Sequence, residues 1–162
     1  MLSSLKFLLR HFVFWLLLFL FFRILFVLTQ LNKLNDATFF ETIKLFYSGF
    51  RLDISTVCYS IVIPFVLLFV QLAANSIVIK KINLFFQAIF IFFAAGVGLA
   101  NITVYKVWGT LINARAIAYV SQPKEIAASM SNMELFFSLS LWILIFLFFF
   151  FIIRFLFRQF GG

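Results

Sequence analysis

Four long runs of apolar positions dominate the chain, and the polar residues collect between them. The first run covers 12–31 and is interrupted only by Arg23. The second covers 54–79, the third 82–105 and the fourth 135–153, and none of these three contains a charged residue. A membrane helix needs roughly 20 apolar residues, so each run is long enough to cross. Strands of a membrane barrel alternate polar and apolar positions; here the runs are continuous. The pattern predicts an all-α fold: a polytopic membrane helix bundle with four transmembrane helices plus interfacial amphipathic helices, the whole chain forming one transmembrane domain. The first run follows Lys6 and Arg10, as a signal peptide would. It is too long for the apolar part of such a peptide and no small-x-small site follows, so it reads as an uncleaved span.

Two connecting segments are also apolar. In 38–50, Thr38-Phe39-Phe40-Glu41 has the spacing of a capping box, and Phe39, Ile43, Phe46 and Phe50 recur at helical spacing. Glu41 and Lys44 stand three apart on the polar side. This predicts an amphipathic helix lying in the membrane interface, with Gly49 and Arg51 marking a break before the next span. The simpler alternative is an extension of that span. The second segment, 106–133, contains Pro123, which suits the first turn of a helix, and predicts a short helix over 123–130 lying against the membrane surface. Ser131-Asn132-Met133-Glu134 is a second capping box and announces the fourth span. The third span carries Ala94, Ala95, Gly96, Gly98 and Ala100, which permit close helix approach and predict a central place in the bundle. The fourth carries Phe148–Phe151 in a row and is expected to face lipid on several sides.

Composition narrows the class. Of 162 residues, 65% are hydrophobic and only 11% charged, against about a quarter charged in a soluble domain. That excludes a soluble globular domain and a disordered chain. One cysteine, Cys58, excludes a disulfide framework and a cysteine zinc site, and one histidine, His11, excludes a histidine cluster. Cys58 reads as a small residue packed within the membrane rather than a nucleophile.

The net charge of +8 raises the question of nucleic acid, and the positions of the charges answer it. With the N-terminus in the cytoplasm, Lys6, Arg10, Lys80, Lys81, Arg154 and Arg158 fall inside, and every acidic residue falls outside. The basic residues are as many outside as inside, but the inner ones crowd against the span ends, where the positive-inside rule counts most. The chain is therefore expected to be a multi-pass protein of the cell membrane with both ends cytoplasmic. The basic excess is split among three short edges, too small for a nucleic-acid surface.

No catalytic motif and no metal-ligating cluster appears in the chain. Arg23 is the one ionised group within a span, and such charges are functional candidates. It can instead snorkel to the head groups or pair with Asp53. Gln71, Asn75, Asn101 and Thr103 lie near span ends and are expected to make hydrogen bonds between helices. Pro64 breaks the pattern of the second span, and the absence of a matching break elsewhere weighs against a transporter.

Two stretches go beyond generic membrane sequence. One is Ser48-Gly49-Phe50-Arg51-Leu52-Asp53-Ile54-Ser55. The other is Asn101-Ile102-Thr103-Val104-Tyr105-Lys106-Val107-Trp108-Gly109, continuing through Leu111–Arg115 and Tyr119 to Pro123–Ser129. Both resemble the N-terminal membrane domain of the lipoteichoic-acid-synthase-like, phosphoglycerol transferase family, within the sulfatase/alkaline phosphatase superfamily. The resemblance implies about five membrane helices followed by an extracytoplasmic domain. That domain uses a divalent metal and a Thr nucleophile to move a phosphoglycerol or phosphoethanolamine head group. The chain ends at Gly162 after a fourth span, so it reads as a truncated or split member, without cofactor or catalytic residues of its own.

The expected role is then to anchor a lipid head-group transferase and hold phospholipid for a missing or separate catalytic domain. Arg51, Lys106 and Arg115, all expected outside, are candidates to contact an anionic phosphate by charge-assisted hydrogen bonds. They equally suit ordinary interface anchors. The alternatives are a small non-enzymatic membrane assembly protein and a transporter subunit.

Overall fold

A computed structural model describes residues 2–30, 39–74, 76–112 and 131–158. The described residues form four helices: α1 (Leu2–Thr29), α2 (Phe39–Ala74), α3 (Ile77–Trp108) and α4 (Asn132–Arg158). All four are long and apolar enough to cross a membrane, over Leu8–Thr29, Phe46–Leu67, Ile77–Lys106 and Asn132–Phe157. Among the described residues the protein is all-helical, with four candidate spans that fit a multi-pass membrane protein.

The ends of the helices follow from their local chemistry. At the start of α4 the Ser131–Glu134 box is complete. The Glu134 N–H donates to Ser131 Oγ at 3.2 Å, and the Ser131 N–H donates back to Glu134 Oε2 at 3.0 Å. Each side chain thus satisfies a backbone N–H that the helix leaves unpaired. At the end of α3, Gly109 has φ +69° and its N–H donates to the Tyr105 carbonyl at 2.9 Å. This is the left-handed closing turn that glycine adopts without steric cost. Asn101 Oδ1 then accepts from the Ile112 N–H at 3.0 Å, tying the outgoing chain back to α3.

Three expectations need correction. The second apolar run, 54–79, is two helices and not one. α2 ends at Ala74, and Ser76 starts α3 by accepting the Val78 N–H on its Oγ at 3.3 Å. Hydropathy passes straight over a turn made between apolar residues. In consequence Lys80 and Lys81 lie in α3 rather than in a loop. The apolar stretch of α2 also begins earlier, at Phe46.

The separate interfacial helix over 38–50 is the second correction. Residues from Phe39 onward are the opening turns of α2, continuous through Gly49 and Arg51 for 36 residues. At 1.5 Å per residue α2 is about 54 Å long, well beyond a hydrocarbon core of about 30 Å. Thr38 and the side chain of Glu41 lie outside the described residues, so their capping box and the Glu41–Lys44 pair do too. So do 113–130, with Arg115 and the expected helix at Pro123. The third correction is Cys58, which is exposed on α2 rather than packed.

Two compact units divide the chain: residues 1–91 with 149–162, and residues 92–148. α3 and α4 each contribute to both. In the first unit α1 touches the three other helices. Its buried positions His11, Trp15, Leu18 and Phe22 recur at steps of four, three and four, a stripe along one helix face. Trp15 meets α3 at Phe90, edge to face with centroids 6.4 Å apart. Phe14 and His11 meet α4 at Phe149 and Phe157, at 6.0 and 5.1 Å. Hydrocarbon gives no hydrophobic reward for bringing apolar helices together, so such packing and interhelical hydrogen bonds carry the association. The Phe148–Phe151 run splits accordingly: Phe149 is buried, and Phe148 and Phe151 are exposed.

In the second unit α3 and α4 meet at a glycine. Trp142 Nε1 donates to the Phe92 carbonyl at 2.9 Å, and its ring lies 4.4 Å from that of Phe92. In a helix that carbonyl already accepts from residue 96. Residue 96 is Gly, and a Cβ there would come within 3.0–3.3 Å of the indole. The missing side chain is what lets the indole reach the backbone.

Candidate functional site

The polar centre of the first unit lies where the second half of α1 meets the first half of α2. Arg23 Nη2 and Asp53 Oδ2 form an ion pair at 2.8 Å, and Arg23 Nη1 donates to the Phe46 carbonyl at 3.1 Å. Phe46, Gly49 and Asp53 follow each other at helical spacing, so all three lie on one face of α2. Gly49 makes the arrangement possible, because a Cβ on it would overlap the guanidinium of Arg23. The glycine read from sequence as a helix break is therefore a notch in an unbroken helix.

The electrostatics explain why the pair exists. Arg23 stands about 9 Å along the axis from Thr29, where the apolar stretch of α1 ends. An arginine within a span costs about 2.5–3.5 kcal/mol on insertion scales. Of the two simple readings, snorkelling and pairing, the structure shows pairing. The side chains of Arg23 and Asp53 are only 16% and 15% exposed. The pair lines an open cavity of about 280 Å³, whose other walls are Leu20, Ile43, Phe46, Tyr47 and Phe50. It is an apolar groove with one neutralised charge pair in its floor.

The three expected head-group contacts are placed as follows. Arg51 is exposed on α2, beside a shallow hollow with Tyr47, Ser48, Leu52 and Ser55. Lys106 is exposed in the last turn of α3, in the second unit, where a cation suits the negative end of the helix dipole. Arg115 lies outside the described residues. Of the polar residues near span ends, Thr103 donates to the Leu99 carbonyl of its own helix at 3.2 Å. Asn101 holds the chain just after α3. Neither of these bonds joins two helices, contrary to expectation. The side chains of Gln71 and Asn75 lie outside the described residues.

Besides the bonds of Arg23, two interhelical polar bonds in the first unit use amides that sequence reading passed over. Trp15 Nε1 donates to Gln87 Oε1 at 3.1 Å, and Asn83 Nδ2 donates to the Pro64 carbonyl at 3.4 Å. The signal for them was present: Asn83 and Gln87 are four apart in a run without charge, which marks an inward face. Among the described residues no three His, Cys, Asp or Glu side chains come together as metal ligands. No family model, curated protein or solved structure matches the chain.

Proposed function

We propose that this chain is the membrane-anchoring domain of a lipid head-group transferase, of the phosphoglycerol or phosphoethanolamine class, in the cell membrane. In this reading the start of α1 and the end of α4 face the cytoplasm. Arg51, Lys106 and Arg115 face outward toward anionic phospholipid and a catalytic domain that carries the divalent metal. One observation supports it most. The segment Ser48–Ser55, which carries much of the family resemblance, is a joint with defined work: Gly49 and Asp53 receive Arg23, while Arg51 stays exposed.

The reading is tested with protein purified from nanodiscs of mixed anionic and zwitterionic phospholipid. Native mass spectrometry should find anionic phospholipid retained. Changing Arg51, Lys106 and Arg115 together to Ala should reduce that retention several-fold. Unchanged retention would remove the head-group role and leave the assembly-protein alternative. Orientation is tested separately by Lys80→Cys. An impermeant thiol reagent should reach it only after cells are opened, and labelling of intact cells would reverse the topology.

A further inference from the structure

Asn83 and Gln87 are the most buried polar pair of the first unit, 0% and 1% exposed. They stand one turn apart on the same face of α3. Each uses one end of its amide. Asn83 gives its Nδ2 to the Pro64 carbonyl, and Gln87 receives the Trp15 indole N–H on its Oε1.

Those two bonds fix which way each amide points. A carbonyl accepts only, so Asn83 must turn its NH₂ toward Pro64. An indole N–H donates only, so Gln87 must turn its oxygen toward Trp15. Asn83 Oδ1 and Gln87 Nε2 are left over, and neither has a hydrogen-bond partner among the described residues. An unpaired polar group away from water is costly, and in a membrane span no solvent relieves it.

We propose that Asn83 and Gln87 bind one internal water molecule between them. The occupant must donate to Asn83 Oδ1 and accept from Gln87 Nε2. A cation is refused by the Gln87 NH₂, an anion by the Asn83 oxygen, and anything large by the burial. Side chains four apart on a helix have Cβ atoms about 5–6 Å apart. Amides on side chains so placed can both reach one oxygen through hydrogen bonds of about 2.8–2.9 Å. A buried water typically makes about three bonds, and α2 offers a further acceptor. Pro64 has no N–H for the Ser60 carbonyl, and that carbonyl belongs to the turn of α2 that Asn83 already reaches. The water joins the bonds to Trp15 and Pro64 into one polar network across α1, α2 and α3.

The test is an experimental structure of the unaltered protein in lipid, at a resolution that shows ordered water. The expected result is a water within hydrogen-bonding distance of both Asn83 Oδ1 and Gln87 Nε2. The proposal is overturned if the two amides bond directly to each other, or if Gln87 Nε2 reaches the Ser60 carbonyl with no water between. Infrared spectra in isotope-labelled water give a second reading. An internal O–H stretching band should be present in the unaltered protein and lost in both Asn83→Leu and Gln87→Leu. A band that persists unshifted in either variant also overturns the proposal.

Discussion

Two glycines inside membrane helices each receive a side chain from a neighbouring helix, and the two contacts differ in kind. At Gly49 the visitor is a guanidinium, which donates to the Phe46 carbonyl and pairs with Asp53. At Gly96 it is an indole, which donates to the Phe92 carbonyl and packs at a tilt against the Phe92 ring. In both, the notch exposes a backbone carbonyl about one turn before the glycine. The first contact neutralises a charge, so losing it strands an ion in a poor solvent. The second satisfies a dipole and fills space, so losing it costs only packing and one neutral hydrogen bond.

The largest expected effect comes from stranding the charge. Asp53→Ala should destabilise the protein by about 3 kcal/mol, the low end of the cost of breaking a buried ion pair, because this pair is part-buried. The double change Arg23→Met with Asp53→Met should cost far less. Unfolding in mixed micelles measures both, and a double variant as unstable as the single one would break the electrostatic half of the comparison.

Gly49→Ala comes next. Its methyl group displaces the guanidinium from the Phe46 carbonyl, and the loss of one hydrogen bond to a charged group is worth about 1.5–3 kcal/mol. The same substitution in an Arg23→Ala background should be nearly neutral. An equal cost in both backgrounds would mean that Gly49 serves α2 itself and not Arg23.

Gly96→Ala asks less. The indole must retreat by a few tenths of an ångström, for a cost of about 1 kcal/mol, at the low end of overpacking. A shift in tryptophan emission should accompany it, checked against a Trp142→Phe protein in which the shift disappears. Smallest is Ser131→Ala, which removes the cap of α4 and costs about 0.5–1 kcal/mol. It acts on the second unit without touching its glycine notch, so its cost should add to that of Gly96→Ala. Strong coupling between the two would show the notch to be less local than its geometry suggests.

Much of the fold was legible because membrane helices announce themselves by length and continuity. The four spans, the Ser131–Glu134 cap and the small-residue stretch around Gly96 could all be read along the chain. What was misread lies where two signals compete. Gly49 and Arg51 resemble a break, yet a helix tolerates glycine when the space above it is filled by a partner. The boundary between Ala74 and Ile77 is one that a sliding hydropathy average erases. The candidate site was half visible. Arg23 and Asp53 were both noticed, since a charge in a span demands a partner. Asn83 and Gln87 were passed over, since uncharged amides barely disturb an apolar average.

The chain by itself determined that it crosses a membrane as helices, because backbone N–H and C=O groups in hydrocarbon must be satisfied within each segment. It also determined where capped helices begin, because capping bonds span only three or four residues. Only the tertiary structure decided which polar groups meet. Arg23 lies 30 residues from Asp53, and Trp15 lies 72 from Gln87. Choosing those partners depends on which helix faces come together, and apolar faces of nearly equal hydropathy leave no mark of that choice in the order of residues.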